Sequence, residues 1–354
     1  MLIVNDVHLG AVRKGGTTPA TQAAIRGYLQ QALRDHLAVY RDNHLIVNGD
    51  LFDQFSVEPA EVVRAYETFA DWLNDDPERR LALGRGNHDW HPSGGRLSSF
   101  DLLAHFLVSR FSADRVQVIT EGYTRITDDV WMIPHMPNQD LFDMEIAKAV
   151  KEASGTYLLL HCNYCSTFAE HSDHSLNISA SQVTALASAG WHLILGHEHQ
   201  HRELPHATIV GNQWPSSISD CLGHGSAQRD GSKYALEITG LKVVRTETWR
   251  AATDYIEMDW RELDTEATQR FIRVTGDASA AEAEAAMSAI AKFRQKSAAL
   301  VIGNAVKVEG VSVIEGFDGN SPTIGEVIKS FDVLAALLQE LSVPEAEVVR
   351  GLMK

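Results

Sequence analysis

Short apolar runs alternate with amphipathic stretches along the first 250 residues. Ile25, Leu29, Leu33 and Leu37 recur at helical spacing, so they predict one buried face of a helix that begins at Thr18 and Pro19. A second helix is predicted around residues 60–73. The predicted strands cover residues 2–4, 44–50, 80–89, 130–135, 156–162, 191–199 and 207–212, and residues 233–239 and 241–248 form a hairpin that turns at Gly240. Such alternation predicts an α/β fold with parallel strand pairs.

The pattern changes after residue 250. Residues 270–276, 278–295 and 298–304 read as strand, helix and strand, and a glycine- and proline-containing break at 315–323 precedes two amphipathic helices. We therefore predict three parts: a large α/β domain (1–250), a small β-α-β domain (251–318) and a helical hairpin (319–354). The hairpin must bury its apolar stripe either against its own core or against a helical partner.

Composition narrows the class of protein. The chain has 354 residues with 44% hydrophobic and 22% charged side chains, which is typical of a globular protein. No run approaches the ~20 apolar residues that would cross a bilayer. Three cysteines fit a reducing compartment better than a disulfide framework. The sequence opens on a strand, leaving no room for a leader, so we expect a cytoplasmic protein with no membrane contact.

The net charge of −16 bears on the kind of substrate. Acidic side chains outnumber basic ones both before and after residue 250, which argues against a large sequence-independent DNA-binding face. Bound cations would still supply positive charge locally.

Polar side chains follow five of the apolar runs. In chain order they are Asp6, His8, Asp50, Asp53, Asn87, His88, His161, His197 and His199. In open α/β sheets, ligands bind at the carboxyl ends of the strands. We therefore expect these side chains to meet at one edge of a sheet.

This set of residue types suits a two-metal hydrolase. Such an enzyme needs a carboxylate that bridges cations ~3.5–4 Å apart, and Asp50 is the natural bridge. Asp6, His8 and His199 would complete one metal site, and Asn87, His161 and His197 the other. Oxygen and nitrogen donors without a thiolate favour Mn²⁺, with Fe²⁺ or Zn²⁺ as alternatives.

Two further residues are predicted to take part in catalysis. His88 is next to a ligand without being needed as one, and an imidazole there is placed to protonate the leaving oxygen. Asp53 either orients His88 or caps the following turn. Glycines precede Asp50, Asn87 and His197, where sharp turns would bring side chains close to the ions.

Four motifs and a lone histidine carry a family resemblance. "DVH", "GDLFD", "GNHD", His161 and "GHEH" together resemble the calcineurin-like metallophosphoesterase superfamily, from residue 1 to about 249. The resemblance implies a four-layer sandwich of two mixed sheets flanked by helices. It also implies the seven metal ligands assigned above and makes His88 the catalytic acid.

A narrower resemblance is to the nuclease subunit of SbcCD-type DNA repair complexes, in a compact, phage-encoded form. It rests on "NDVHLG", "NGDLFD", "GNHD" and a β-α-β segment ending in "VKVEG". It implies a DNA exo- or endonuclease, a capping domain that selects DNA ends, a homodimer, and C-terminal helices that bind an SbcC-like coiled-coil ATPase. Two alternatives stay open: a phosphatase or phosphodiesterase for a small nucleotide or other metabolite, and a non-catalytic scaffold.

The sequence gives weaker evidence that other polar residues near the motifs take part in function. A tetrahedral zinc site needs four ligands, and only Cys221 could add a third thiolate to Cys162 and Cys165. We therefore interpret Cys162 and Cys165 as buried thiols beside the site. His201 and His206 either contact substrate phosphates or lie in exposed loops. Residues 212–215, "NQWP", would line the substrate cleft.

Four basic residues flank the motifs: Arg13, Lys14, Arg85 and Arg96. Each is either a ligand for phosphodiester oxygens or a solvated surface charge.

Overall fold

The computed structural model describes residues 1–12, 19–40, 42–91, 96–152, 155–166, 175–223, 231–240 and 242–309. The predicted C-terminal hairpin (319–354), the last part of the predicted small domain, the helix-start residue Thr18 and the basic residues Arg13 and Lys14 lie outside these residues.

Strands alternate with helices up to residue 250, which is the general pattern that the sequence predicts. In chain order they are β1 (Leu2–Val4), α1 (Pro19–Val39), β2 (His44–Asn48), α2 (Pro59–Asp75), β3 (Arg80–Gly84), α3 (Ser99–Arg110), β4 (Val116–Ile119), β5 (Thr124–Arg125), β6 (Val130–Ile133), α4 (Gln139–Lys151), β7 (Tyr157–His161), β8 (Asn163–Tyr164), β9 (Asn177–Ile178), α5 (Ala180–Ser188), β10 (His192–Gly196), β11 (Arg202–Leu204), β12 (Ala207–Ile209), β13 (Lys233–Thr239) and β14 (Lys242–Trp249). The described elements that follow are α6 (Ala251–Asp254), β15 (Tyr255–Asp259), β16 (Phe271–Thr275), β17 (Asp277–Ala278), α7 (Ala283–Lys296), β18 (Val301–Asn304) and β19 (Lys307–Val308).

Two six-stranded sheets form the centre of the fold. The first has the order β14-β13-β1-β2-β3-β4, and the second β11-β12-β10-β7-β6-β5. Strands β1 to β4 run parallel, as do β6, β7, β10 and β12, while antiparallel strands complete each sheet. The predicted α/β class with two mixed sheets is confirmed.

The layers follow from the period-two alternation of side chains along each strand. Ile3, Ile46 and Ala82 of the first sheet pack with Leu159 and Ile194 of the second, in the core between the sheets. Their neighbours in sequence point outward. On the first sheet these pack with helical residues such as Leu29, Phe69 and Leu103, and on the second with Phe142 and Val183. Both faces of each sheet are therefore covered, which is why the parallel strands read as continuous apolar runs.

A third, all-parallel sheet has the order β15-β16-β18. Helix α7 connects β16 to β18, in the predicted strand-helix-strand order. The sequence analysis did not predict β15. Ile272 and Phe293 belong to a core of this unit, whereas Phe271 and Val301 join the core beside the first sheet. The domain division at residue 250 stays a prediction. Among the described residues, no helix is long and apolar enough to span a membrane.

Candidate metal centre

The polar residues that follow the strands converge from two sheets. Asp6, Asp50 and Asn87 follow β1, β2 and β3 of the first sheet, whereas His161 and His197 stand at the ends of β7 and β10 of the second. The expectation of one edge of a single sheet is therefore wrong. The carboxyl ends of two stacked sheets meet, and His161 Nδ1 lies 2.9 Å from the carbonyl oxygen of Asn48 across the gap.

The backbone is strained where these side chains leave the strands. Asp6, His8, Asp50 and His197 have φ of 50°, 51°, 46° and 82°, in the left-handed region that side-chain-bearing residues rarely adopt. Such conformations persist where the surrounding structure enforces them, and they concentrate at functional sites. The strain turns the chain sharply enough to aim each side chain at a common point.

Two glycines allow this close approach. Gly49 has φ of 86°, and a Cβ at that position would overlap the imidazole of His161. A Cβ on Gly86 would overlap the backbone nitrogen and the carboxylate of Asp50. At both positions any side chain would push a site residue away.

The first half of the site contains Asp6, His8 and His199, whose donor atoms all lie within 4.8 Å of one another. The two Nε2 atoms of His8 and His199 are 2.9 Å apart. Asp6 Oδ2 accepts hydrogen bonds from the backbone nitrogen of His197 at 3.0 Å and from the Asn5 amide. Asp6 Oδ1 is buried and finds no hydrogen-bond partner among the described residues. A cation bound between Asp6 Oδ1 and the two Nε2 atoms would satisfy all three donor atoms.

The second half contains Asp50, His161 and His197, again with donors within 4.8 Å. Asn87 Oδ1 lies 2.8 Å from His197 Nδ1 and 3.1 Å from His161 Nε2, and Asp50 Oδ2 is 3.3 Å from His161 Nε2. Asp50 also groups with His8 and His88. It therefore lies between the two halves, where the sequence predicts a bridging carboxylate.

The orientation of four imidazole rings is fixed from outside the site. His8 Nδ1 lies 3.3 Å from Asp53 Oδ1, and His161 Nδ1 donates to the Asn48 carbonyl. His199 Nδ1 lies 2.8 Å from Asp220 Oδ1, and His197 Nε2 lies 3.3 Å from Ser175 Oγ. In each ring the nitrogen that faces the centre is the one left to bind a cation, which is the usual arrangement of metal-binding histidines.

His88 is held beside the site in a different way. Its backbone nitrogen donates to Asp50 Oδ1 at 2.9 Å, and its Nδ1 donates to the backbone carbonyl of Asp53 at 2.6 Å. Its ring meets that of His8 edge-on, with centroids 5.1 Å apart. Asp53 therefore contacts two rings, His88 through its carbonyl and His8 through its carboxylate.

The sequence analysis gave no role to Asp89 and did not find Asp220. The Asp89 carboxylate accepts from the backbone nitrogens of Leu51, Phe52 and Gly86, so it ties the loop after β2 to the loop after β3. Its place in the "GNHD" motif was the available signal. Asp220 lies 21 residues after His199 in a short 3-10 turn, and no local motif marks it.

The buried charges of the site shift one another's pKa values. Burial alone would raise the pKa of Asp50, but the charges of His161 and His88 hold it well below its ordinary value. Burial opposes the protonation of His161, yet Asp50 raises its pKa to about 9. Burial and the charge of His161 lower the pKa of His197 to about 3. Protonated His161 thus balances Asp50, and a divalent cation at these donors would replace that proton.

Burial and the nearby Asp50 charge raise the pKa of Asp89 to about 7. The donors of the whole centre are carboxylate, amide and imidazole groups. They include Asp6 Oδ1, which is buried and has no hydrogen-bond partner in the described part of the chain, and the inward-facing nitrogens. This chemistry fits divalent cations.

His201 and His206 were expected either to contact substrate phosphates or to lie in exposed loops. His201 is held by the Val210 carbonyl and lies within 3.2 Å of Glu203 Oε1, so its ring is engaged away from the centre. His206 precedes β12 and its carbonyl accepts from Leu193 at the start of β10. Because β10 and β12 are parallel, His206 lies at the edge opposite the site.

The three cysteines form no disulfide and differ in solvent exposure. Cys162 is buried, as predicted, but Cys165 is exposed, so the expectation of two buried thiols is wrong for it. Gln213 of "NQWP" is buried and bonds the Asn5 backbone and the Tyr234 carbonyl. It braces the first strand and does not line a cleft.

The fold and the donor set together define a dimetal hydrolase. Residues 1–203 match the model of the calcineurin-like phosphoesterase family, and the chain belongs to this family. A search of curated proteins finds no match.

The solved structures that resemble the chain include two at low identity. One is a Pseudomonas putida nuclease MPE, with 16% identity over 69% of this chain and 86% of that one, and a TM-score of 0.28. The other is a dimetal phosphatase from Danio rerio, with 10% identity over 71% of this chain and 95% of that one, and a TM-score of 0.40.

Proposed function

We propose that the chain is a dinuclear-metal phosphodiesterase that cleaves DNA. Asp6, His8 and His199 would hold one cation, and Asn87, His161 and His197 the other, with Asp50 between them. The observation that carries this proposal is the orientation of the four rings, each fixed from outside with its other nitrogen facing the centre. The oxygen and nitrogen donors favour Mn²⁺, with Fe²⁺ or Zn²⁺ as alternatives.

When bound, two cations would polarise the phosphoryl group and activate water for in-line attack. The chain's own residues would then supply orientation and a proton. His88 Nδ1 is engaged by Asp53 at 2.6 Å, so Nε2 is the nitrogen that faces the substrate. In the protonated ring, Nε2–H would pass its proton to the oxygen of the leaving group as the phosphorus–oxygen bond breaks. The hydrogen bond from His88 N to Asp50 Oδ1 fixes the position of His88 relative to the residues that would bind the cations.

A surface beside His88 supports a nucleic acid substrate. Phe55, two residues beyond Asp53, has its ring centroid 5.2 Å from that of His91 and 5.3 Å from the guanidinium carbon of Arg96. Phe55 and His91 are half-buried and Arg96 is exposed. Aromatic and guanidinium groups stack on unpaired nucleobases without regard to sequence. This surface would hold an unpaired base next to the scissile phosphodiester bond.

We also propose two protein partners. The apolar stripe of residues 319–354 supports binding of an SbcC-like coiled-coil ATPase. Leu102 and Phe106 are exposed apolar side chains one turn apart on α3, and the ring of Phe106 contacts that of Tyr66 on the neighbouring helix α2. This exposed apolar face supports a homodimer. Deletion of residues 320–354 should abolish co-purification with the ATPase, and Leu102→Glu with Phe106→Glu should halve the mass measured by light scattering. Unchanged co-purification or mass would refute the respective partner.

The alternative substrate is a small nucleotide or other phosphorylated metabolite, which the net charge of −16 favours. One experiment separates the two. Mn²⁺-dependent degradation of end-labelled linear DNA is compared with that of closed circles, a mononucleotide and a chromogenic diester. Cleavage of linear DNA supports the nuclease. Cleavage of the mononucleotide without any DNA cleavage supports the alternative, and no metal-dependent hydrolysis of any substrate would refute both.

A further inference from the structure

The buried carboxylate of Asp220 lies directly behind His199, on the side away from the metal donors. Its Oδ1 is 2.8 Å from His199 Nδ1, and its side chain is 2% exposed. His199 Nε2 faces His8 Nε2 at 2.9 Å. Because a carboxylate accepts and does not donate, Nδ1 of His199 carries the hydrogen and Nε2 carries the lone pair.

The other oxygen of Asp220 accepts hydrogen bonds from two backbone N–H groups, which can donate but cannot accept. Oδ2 accepts from the backbone nitrogens of Ser216 at 2.8 Å and Ser217 at 2.9 Å, and from the Ser216 hydroxyl at 3.0 Å. The two backbone donors fix which oxygen faces inward. The carboxylate therefore has one orientation, and it transmits that orientation to the ring of His199.

The backbone of His199 is held as well. Lys233 on β13 is buried, and its Nζ donates to the His199 carbonyl at 2.8 Å. The ammonium group of Lys233 interacts electrostatically with the carboxylate of Asp220, which offsets part of the cost of burying each charge. His199 is thus fixed at its ring by Asp220 and at its carbonyl by Lys233.

We propose that Asp220 is a positioning residue of the metal centre, which selects the His199 tautomer that can bind a cation. The inference rests on the proposed two-metal site and adds a residue outside the ligand set. Partners of this kind typically affect metal affinity by about 10–100-fold.

The Asp220→Asn variant should reverse the tautomer of His199. The backbone N–H groups of Ser216 and Ser217 require an acceptor, so the amide oxygen of the variant must face them. Its NH₂ group then faces His199 Nδ1 and forces the hydrogen onto Nε2, the nitrogen that should bind the cation. Asp220→Ala removes the partner and leaves the tautomer free. The isosteric Asn variant should therefore lose more metal affinity than the Ala variant.

The test measures Mn²⁺ stoichiometry and affinity by titration calorimetry, and the His199 tautomer by ¹⁵N NMR of the metal-free full chain at alkaline pH. We expect two Mn²⁺ in the wild type, one weakened by about 10–100-fold in Asp220→Asn, and a hydrogen on Nδ1 in the wild type but on Nε2 in this variant. Asp254→Asn is the matched control. That buried carboxylate bonds Trp249 and Arg270 and should leave both readouts unchanged.

The outcomes separate this inference from the function on which it rests. A milder effect in Asp220→Asn than in Asp220→Ala, or an unchanged tautomer, would overturn the positioning role. A wild type that binds no Mn²⁺ would overturn the proposed two-metal function, while the NMR comparison would still decide which tautomer Asp220 selects.

Discussion

The backbone carbonyl of Asp53 accepts a hydrogen bond from Nδ1 of His88 at 2.6 Å. Its carboxylate lies instead beside His8, at 3.3 Å from Nδ1. The sequence analysis left two roles for Asp53, as the partner of His88 or as a cap of the next turn. The structure joins Asp53 to His88 through an atom that a side-chain substitution does not remove.

Asp53→Asn should therefore act on the metal centre more than on the acid. The carbonyl would still hold His88, whereas His8 would lose its charged partner. We expect Mn²⁺ affinity to fall by about tenfold or more, with near-normal kcat at saturating Mn²⁺. Titration calorimetry and steady-state kinetics over a range of Mn²⁺ measure the two effects. A kcat loss that saturating metal does not restore would contradict this assignment.

His88→Ala should show the opposite behaviour. Both cations should remain, while hydrolysis of DNA slows by roughly 10²–10⁴-fold because the leaving oxygen lacks a proton donor. A chromogenic diester with a nitrophenolate leaving group needs that proton less, so its rate should fall less. Metal content and the two rates check this. If the variant loses metal, His88 is a ligand and not the acid.

Gly49→Ala should disrupt the site beyond its backbone cost. An alanine at positive φ costs about 1–2 kcal/mol, and here its Cβ would also overlap His161. Gly240→Ala is the matched control, since that glycine has φ of 59° with no atom within 4 Å of an added Cβ. Without metal, Gly49→Ala should lose more stability to thermal unfolding than Gly240→Ala, which has the backbone cost alone, and only Gly49→Ala should lose Mn²⁺ binding. Equal metal affinity in the two would show that the close approach to His161 is unimportant.

Mn²⁺ binding should release protons near neutral pH. The raised pKa of His161, about 9, means that its ring is protonated below that pH in the metal-free chain, and a ligand imidazole must be neutral. Affinity should therefore rise by about tenfold per pH unit up to pH 9 and then level off. Calorimetry in buffers of different ionisation enthalpy counts the protons. Binding without proton release at pH 7 would contradict the protonated state of His161.

The surface beside His88 should affect DNA and not small substrates. Phe55→Ala and Arg96→Ala each remove one stacking group, and base stacking contributes about 1–3 kcal/mol per base. We expect KM for single-stranded DNA to rise by about 5–100-fold, with little change for the chromogenic diester. Arg64→Ala, which removes an exposed arginine on α2 that pairs with Glu61, controls for lost positive charge. A parallel loss on both substrates would assign these residues to the fold.

The sequence by itself determined the α/β class, helices α1, α2 and α7, most of the central strands, and the polar groups at the strand ends. Apolar runs and helical spacing carry this information, because burial of Leu29 or Ile46 depends on the local period of the chain. The helices α3, α4 and α5 were not predicted, although Ser98, Asn138 and Ser179 cap their first turns, since their apolar faces are short.

The tertiary structure alone decided how those groups meet. Two sheets, not one, supply the donors, because strand pairing depends on contacts between segments far apart in the chain. It also brought Asp220 to His199 across 21 residues and Asn48 to His161 across 113. A carboxylate or a carbonyl has no local signature as the partner of a distant ring. The distances that fix a tautomer exist only after both sheets have packed, so no spacing in the sequence records them.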